Sequence, residues 1–179
     1  MQESYSGVID LDDDDATALE VMLRYFYTGE YIEPIKDNNK LQLEVQVLTY
    51  NMADKYNVSS LGVITKEKFR STLKSCPSAE DYLRLIPDVY TIPRPGNPLR
   101  TIVVEYARLK FRDMMQSADL ELVRTTLQDV PEFAFEVLQS FINAPVRGRC
   151  GTCGPNQNAE VLQMRCLKCG KGGLSPSSR

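Results

Sequence analysis

The 179-residue sequence contains no histidine. That absence removes Ser-His-Asp and Cys-His nucleophile systems, imidazole acid–base catalysis and every His-containing metal site. It also lacks a P-loop pattern and a GxGxxG turn after a strand, so nucleotide chemistry has no recognisable cradle. No apolar run approaches the roughly 18 residues that span a bilayer, and Met1 to Ser6 is polar without the basic-then-apolar order of a secretory leader. The expectation is a soluble intracellular chain, nuclear or cytoplasmic, with no membrane partner. Four of the five cysteines fall in two tight pairs and Cys76 stands apart. This differs from the even framework of a secreted disulfide scaffold and suits a reducing compartment. The formal net charge of −3 gives no general field for attracting phosphates, so nucleic acid is expected only at a local basic patch.

What is present describes a folded chain. Hydrophobic residues at 42% and charged residues at 25% match soluble globular proteins rather than disordered ones. The length accommodates one main domain and a minor one. Val8 and Ile9 in the segment from Ser6 to Leu11 read as a short strand. Asp12 to Asp15 then lead into a helix whose Ala16, Leu19, Met22, Leu23, Phe26 and Tyr27 recur at three- and four-residue steps. The aspartates cap that helix and complement its dipole. They lack the alternation, glycine and closing glutamate of a calcium loop. Gly29 ends the helix, and a polar loop with Pro34 follows.

A second helix from Leu41 places Leu41, Val45, Leu48, Met52 and Tyr56 on one side. A third from about Ser60 does the same with Leu61, Ile64, Phe69 and Leu73. Ser78 and Asp81 form a capping box for a short helix with Tyr82, Leu83 and Ile86, which Pro87 is expected to disrupt. Thr91 to Pro98 is a Pro- and Gly-rich connector. Further helices are expected over Leu99 to Ser117, over Asp119 to Leu127, and after the cap Asp129 with Pro131 and Glu132, carrying Phe133, Val137, Leu138 and Phe141.

After Pro145 and Gly148 come Cys150-x-x-Cys153, twelve residues, and Cys166-x-x-Cys169. Each CxxC turns both sulfurs toward one point, and an intervening hairpin brings the pairs together, as in a zinc ribbon. Four thiolates close a tetrahedron, which makes the expected single zinc ion structural and lets its binding energy fold a segment too small for its own core. Free thiols, iron in a rubredoxin-like site and a redox dithiol are the weaker alternatives. Gly154, Pro155 and Asn156 form turns, Glu160 to Arg165 alternates as a strand, and Gly170 suits the knuckle. Arg147, Arg149, Arg165, Lys168, Lys171 and Arg179 make this terminus basic, either to balance the thiolate charge or to contact nucleic acid. Residues 172–179 read as a flexible tail.

The N-terminal residues resemble the BTB/POZ domain in its filamentous-fungal version. The matching residues are Glu3-Ser4, Ile9-Asp10-Leu11 and the acidic run, Met22 through Tyr31 with its Tyr-Thr-Gly-x-Tyr, Val47 through Tyr50, Met52-Ala53-Asp54-Lys55-Tyr56, Leu61 and the helix ending at Phe69. The resemblance covers residues 1–75 and implies a protein-interaction domain without catalytic residues, commonly dimeric, sometimes presenting substrates to a cullin-based ubiquitin ligase. The chain begins where the middle of such a domain would lie, so the usual dimer interface would be missing. The fold expected is therefore mainly α: a partial BTB/POZ-like helical domain with one N-terminal strand (1–75), a helical extension (76–143) and a small zinc ribbon (147–171). The function expected is a non-enzymatic adaptor binding protein partners through helical surfaces. The alternative is a nucleic-acid-binding or transcription-associated protein whose basic ribbon contacts phosphates. Scattered carboxylates such as Glu132 and Glu136 are the only candidates for an enzyme.

Overall fold

The computed structural model describes residues 11, 14–75, 78–91, 96–117, 120–143, 146–160 and 165–176, without the side chains of 111, 112, 117, 146, 160, 175 and 176. The chain is mainly α-helical with a small C-terminal sheet, and it divides into two compact units, Met1–Cys76 and Pro77–Arg179. The strand expected over Ser6 to Leu11 lies, apart from Leu11, outside the described residues, as does Cys76.

The first unit holds α1 (Ala16–Thr28), α2 (Asn39–Lys55) and α3 (Ser59–Lys74). Asp15 caps α1 by accepting from the Ala18 N–H at 2.9 Å, and Gly29 closes it by donating to the Tyr25 carbonyl. Asp14, its neighbour in the acidic run, instead accepts from Lys55 Nζ at 2.7 Å and from the Tyr56 hydroxyl at 2.5 Å, tying the entry of α1 to the end of α2. Helix α2 lies against both α1 and α3. Its buried surface is accordingly wide: Leu43, Val45, Gln46, Val47, Thr49, Met52 and Ala53 are all covered, whereas Leu41 and Leu48 of the expected stripe are exposed. Gln46, fully buried, donates from Nε2 to Glu33 Oε2 at 3.0 Å and to Thr72 Oγ1 at 3.1 Å.

On α1 only a narrow face is covered, by Ala18, Val21 and Met22. Leu23 is 44%, Phe26 57% and Tyr27 90% exposed, contrary to the expected apolar stripe. Six apolar residues outnumber the positions that packing against one neighbouring helix covers, so the excess faces outward. Helix α3 follows expectation, with Leu61, Phe69 and Leu73 buried.

In the second unit α4 (Ala79–Tyr90), α5 (Pro98–Ser117), α6 (Leu120–Asp129) and α7 (Pro131–Asn143) pack in a ring, α4 and α7 each touching α5 and α6. Its centre is aromatic: Tyr82 lies 4.8 Å from Tyr106 and 6.4 Å from Phe133, and Tyr90 meets Phe133 edge-on at 5.9 Å between centroids. Helix α4 runs through Pro87 instead of stopping there. Pro87 is exposed while Leu85, Ile86 and Val89 are buried around it, so packing holds the helix across the missing N–H. Asn97 rather than Leu99 opens α5, its side chain accepting from the Leu99 N–H at 2.9 Å. Asp129 ends α6 and Pro131 starts α7, so Asp129 is not the expected cap.

The sheet comprises β1 (Val146–Cys150), β2 (Gly154–Glu160), β3 (Arg165–Cys166) and β4 (Ser175–Pro176), in the order β3-β2-β1-β4 with every described pairing antiparallel. Ser175 and Pro176 pair with Arg149 and Gly148, so the expected tail is partly strand. Leu174, 4% exposed, is buried among the cysteines and pins that segment.

Candidate metal centre

Cys150 ends β1 and Cys166 ends β3, while Cys153 and Cys169 close the turns that follow. In each turn the second cysteine is followed by a glycine in the left-handed region, Gly154 at φ 86° and Gly170 at φ 70°. Such a conformation costs an L side chain about 1–2 kcal/mol, which is why glycine stands there. The Gly170 N–H donates to the Cys166 carbonyl at 2.8 Å and the Cys166 N–H to the Lys171 carbonyl at 2.9 Å, fixing the second turn from both sides. The register pairs Ala159 with Cys166, and these two pack with Cys150 and Leu174 beneath the sheet.

The structure brings together all four cysteines singled out in the sequence: their sulfurs all lie within 4.8 Å of one another. Cys150 Sγ and Cys169 Sγ are 3.7 Å apart. A disulfide needs about 2.05 Å. Metal–sulfur bonds of about 2.3 Å in a tetrahedron place sulfurs about 3.8 Å apart, close to the observed separation. Cys150 and Cys166 are buried, and Cys153 and Cys169 are half-buried.

The thiols differ in acidity. Backbone N–H groups of Cys153 and Thr152 directed at Cys150 Sγ bring its pKa down to about 7. Cys153 is pushed up to about 12, first by its contact with Cys169, then by burial and by the other two cysteines. Crowded sulfurs thus resist carrying several negative charges at once, and a cation among them relieves that repulsion. The donor set and its spacing fit a tetrahedrally coordinated metal ion.

Leu174 and β4 were not anticipated, since no cysteine marks them. Gly154 and Gly170 are the matched last residues of a Cys-x-x-Cys-Gly pattern that occurs twice, at residues 150–154 and 166–170. The basic residues Arg147, Arg149, Arg165, Lys168 and Lys171 are exposed, and Arg179 lies outside the described residues. Of the carboxylates considered for chemistry, Glu136 accepts from the Tyr90 hydroxyl at 2.6 Å and lies 3.8 Å from Arg100, a packing network, and Glu132 is exposed. Among the described residues no helix is long and apolar enough to cross a membrane. Comparison with protein-family models, curated proteins and solved structures gave no match.

Proposed function

We propose that the chain is a non-catalytic interaction protein in which one zinc ion, held by Cys150, Cys153, Cys166 and Cys169, fixes a C-terminal ribbon while the helices offer apolar surface to a protein partner. The observation that carries the reading is the cluster of four cysteine sulfurs, all within 4.8 Å of one another and with Cys150 and Cys169 3.7 Å apart. Four thiolates leave no coordination position for water or substrate, so the ion's role is to hold the fold.

The interaction reading is supported by the outward Leu23, Phe26 and Tyr27 of α1. Large apolar side chains grouped on a surface are the common mark of a protein-binding face. The resemblance of residues 1–75 to the BTB/POZ domain points the same way and supplies the candidate partner, a cullin scaffold.

Native mass spectrometry of the purified chain tests the metal and reports the number of subunits. One zinc per chain is the expected result. Iron, visible as a coloured protein, or a metal-free chain would overturn the zinc assignment. Co-purification with a cullin scaffold should survive chelation and be lost when the surface from Glu30 to Ile32 is altered. Failure to co-purify with the full-length scaffold would remove the cullin adaptor reading and leave the metal assignment standing.

A further inference from the structure

We propose that the open face of the C-terminal sheet docks on the phosphate backbone of double-stranded nucleic acid, without sequence preference, through Arg147, Arg149 and Arg165. This goes beyond the zinc and adaptor reading and rests on the register of the strands. Residues opposite one another on antiparallel strands share a face, and neighbours along a strand alternate. Ala159 and Cys166 are paired and buried with Cys150, which sets the inner face. Arg147 pairs with Asn158, and Arg147, Arg149, Asn158 and Arg165 are all exposed, one residue out of step with the buried set. The three arginines therefore lie together on the side away from the sulfurs. Arg149 sits where the pairing of β1 with β2 shifts register, and its exposure between the buried Gly148 and Cys150 places it on the same side as Arg147.

Three arginines on the helices behave differently. Arg24, Arg84 and Arg124 each pair with a glutamate one helical turn away, at 2.6, 2.8 and 2.5 Å. Arg147, Arg149 and Arg165 have no carboxylate partner among the described residues. Glu160, in register with Arg165, is the single acidic residue from Val146 to Arg179, against six lysines and arginines. Residues 1–145 hold the remaining fifteen basic and twenty-three acidic residues, so the chain's charge is strongly segregated, −8 against +5.

Balancing the thiolates does not account for this face. A divalent ion with four thiolates carries a charge of −2, and Lys168 and Lys171 stand beside Cys169 in the second turn. The arginines are left over on the opposite side of the sheet. Guanidinium forks match phosphate oxygens bidentately, whereas an ordinary solvated surface is served as well by lysine. From Val146 to Arg179 there is no Phe, Tyr or Trp on which unpaired bases would stack, which favours a duplex backbone over a single strand. The acidic remainder of the chain supplies no long-range attraction, so binding is local and salt-sensitive.

The test is fluorescence anisotropy of the zinc-loaded full chain with a labelled DNA duplex of about 20 base pairs. Three phosphate contacts predict a slope of log K against log salt near −2.7, about a 40-fold loss of affinity between about 50 and about 200 mM salt. Changing Arg147, Arg149 and Arg165 together to Ala should weaken binding more than about 10-fold and flatten the slope. Metal content and helical signal, read on the same sample, should not change. Arg70→Ala on α3, also exposed, should leave binding as it is. No binding at about 50 mM salt, or a triple variant that binds as tightly as the parent, would overturn the proposal. So would polyglutamate of matched charge that binds the same three arginines more tightly than the duplex, since the face would then belong to an acidic protein.

Discussion

The hydroxyl of Tyr82, a wholly buried residue of α4, donates to the backbone carbonyl of Val103 in α5 at 2.7 Å. That carbonyl sits inside a helix and also takes part in its ladder, so losing the tyrosine proton does not strand it. Tyr82→Phe should therefore cost only about 0.5–1.5 kcal/mol, whereas Tyr82→Ala, which also empties the space against Tyr106 and Phe133, should cost about 3–5 kcal/mol. Urea unfolding of the two variants measures the difference. Equal losses would mean that the hydroxyl, rather than the ring, dominates.

Asp14 is held in its charged form by Lys55 and then by Tyr56, which lower its pKa below the ordinary value of 3.8. A depressed carboxylate stabilises the fold fully above its unfolded pKa and loses that contribution as pH falls through the folded one. The effect should thus be present at neutral pH and vanish in the acid range below about 4. Carboxyl NMR titration should find Asp14 below its ordinary value, moving upward in Lys55→Met and, by less, in Tyr56→Phe. An Asp14 that titrates normally in the parent chain would refute the link between α1 and α2.

Gly170 and Gly151 offer a matched pair. A Cβ at either would meet nothing within 4 Å, but only Gly170 has a left-handed backbone, at φ 70°. Gly170→Ala should weaken the metal centre by about 1–2 kcal/mol and Gly151→Ala hardly at all. Competition with a chromogenic chelator reads both. Equal chelator resistance in the two variants would show that the second turn tolerates a side chain.

Pro87 lies inside α4 and offers no N–H to the Leu83 carbonyl one turn back. Pro87→Ala restores the donor at an exposed position and should raise the stability of the second unit by about 1–3 kcal/mol. A lower melting temperature for this variant would mean that the ring fixes a bend which the buried Ile86 and Val89 require.

How well the sequence foretold the structure depended on the range of the determinant. Asp15, Gly29 and Ser78 act on backbone groups within three or four residues, and their roles as cap, stop and cap follow from local chemistry. The cysteine pairs were legible for the same reason, since each CxxC closes its own turn. The outward Phe26 and Tyr27 were not, because periodicity gives the apolar face of a helix but not how much of it a neighbour covers. Gln46 and Thr49 were missed for the converse reason: a helix packed on two sides buries polar positions too. Strand β4 has two residues and no pattern, and only the burial of Leu174 accounts for its place.

Strand β1 lies between β2 and β4, and its last residue is the first cysteine of the tetrad. During synthesis Cys150 and Cys153 leave the ribosome before Cys166 and Cys169 exist to join them. The newborn chain therefore passes through an interval with two adjacent thiols, a half-made sheet and no complete metal cage. A disulfide or sulfenic acid formed in that interval would take sulfurs away from the four-cysteine cluster before it closes, so a metal ion bound there would protect them only once all four are present.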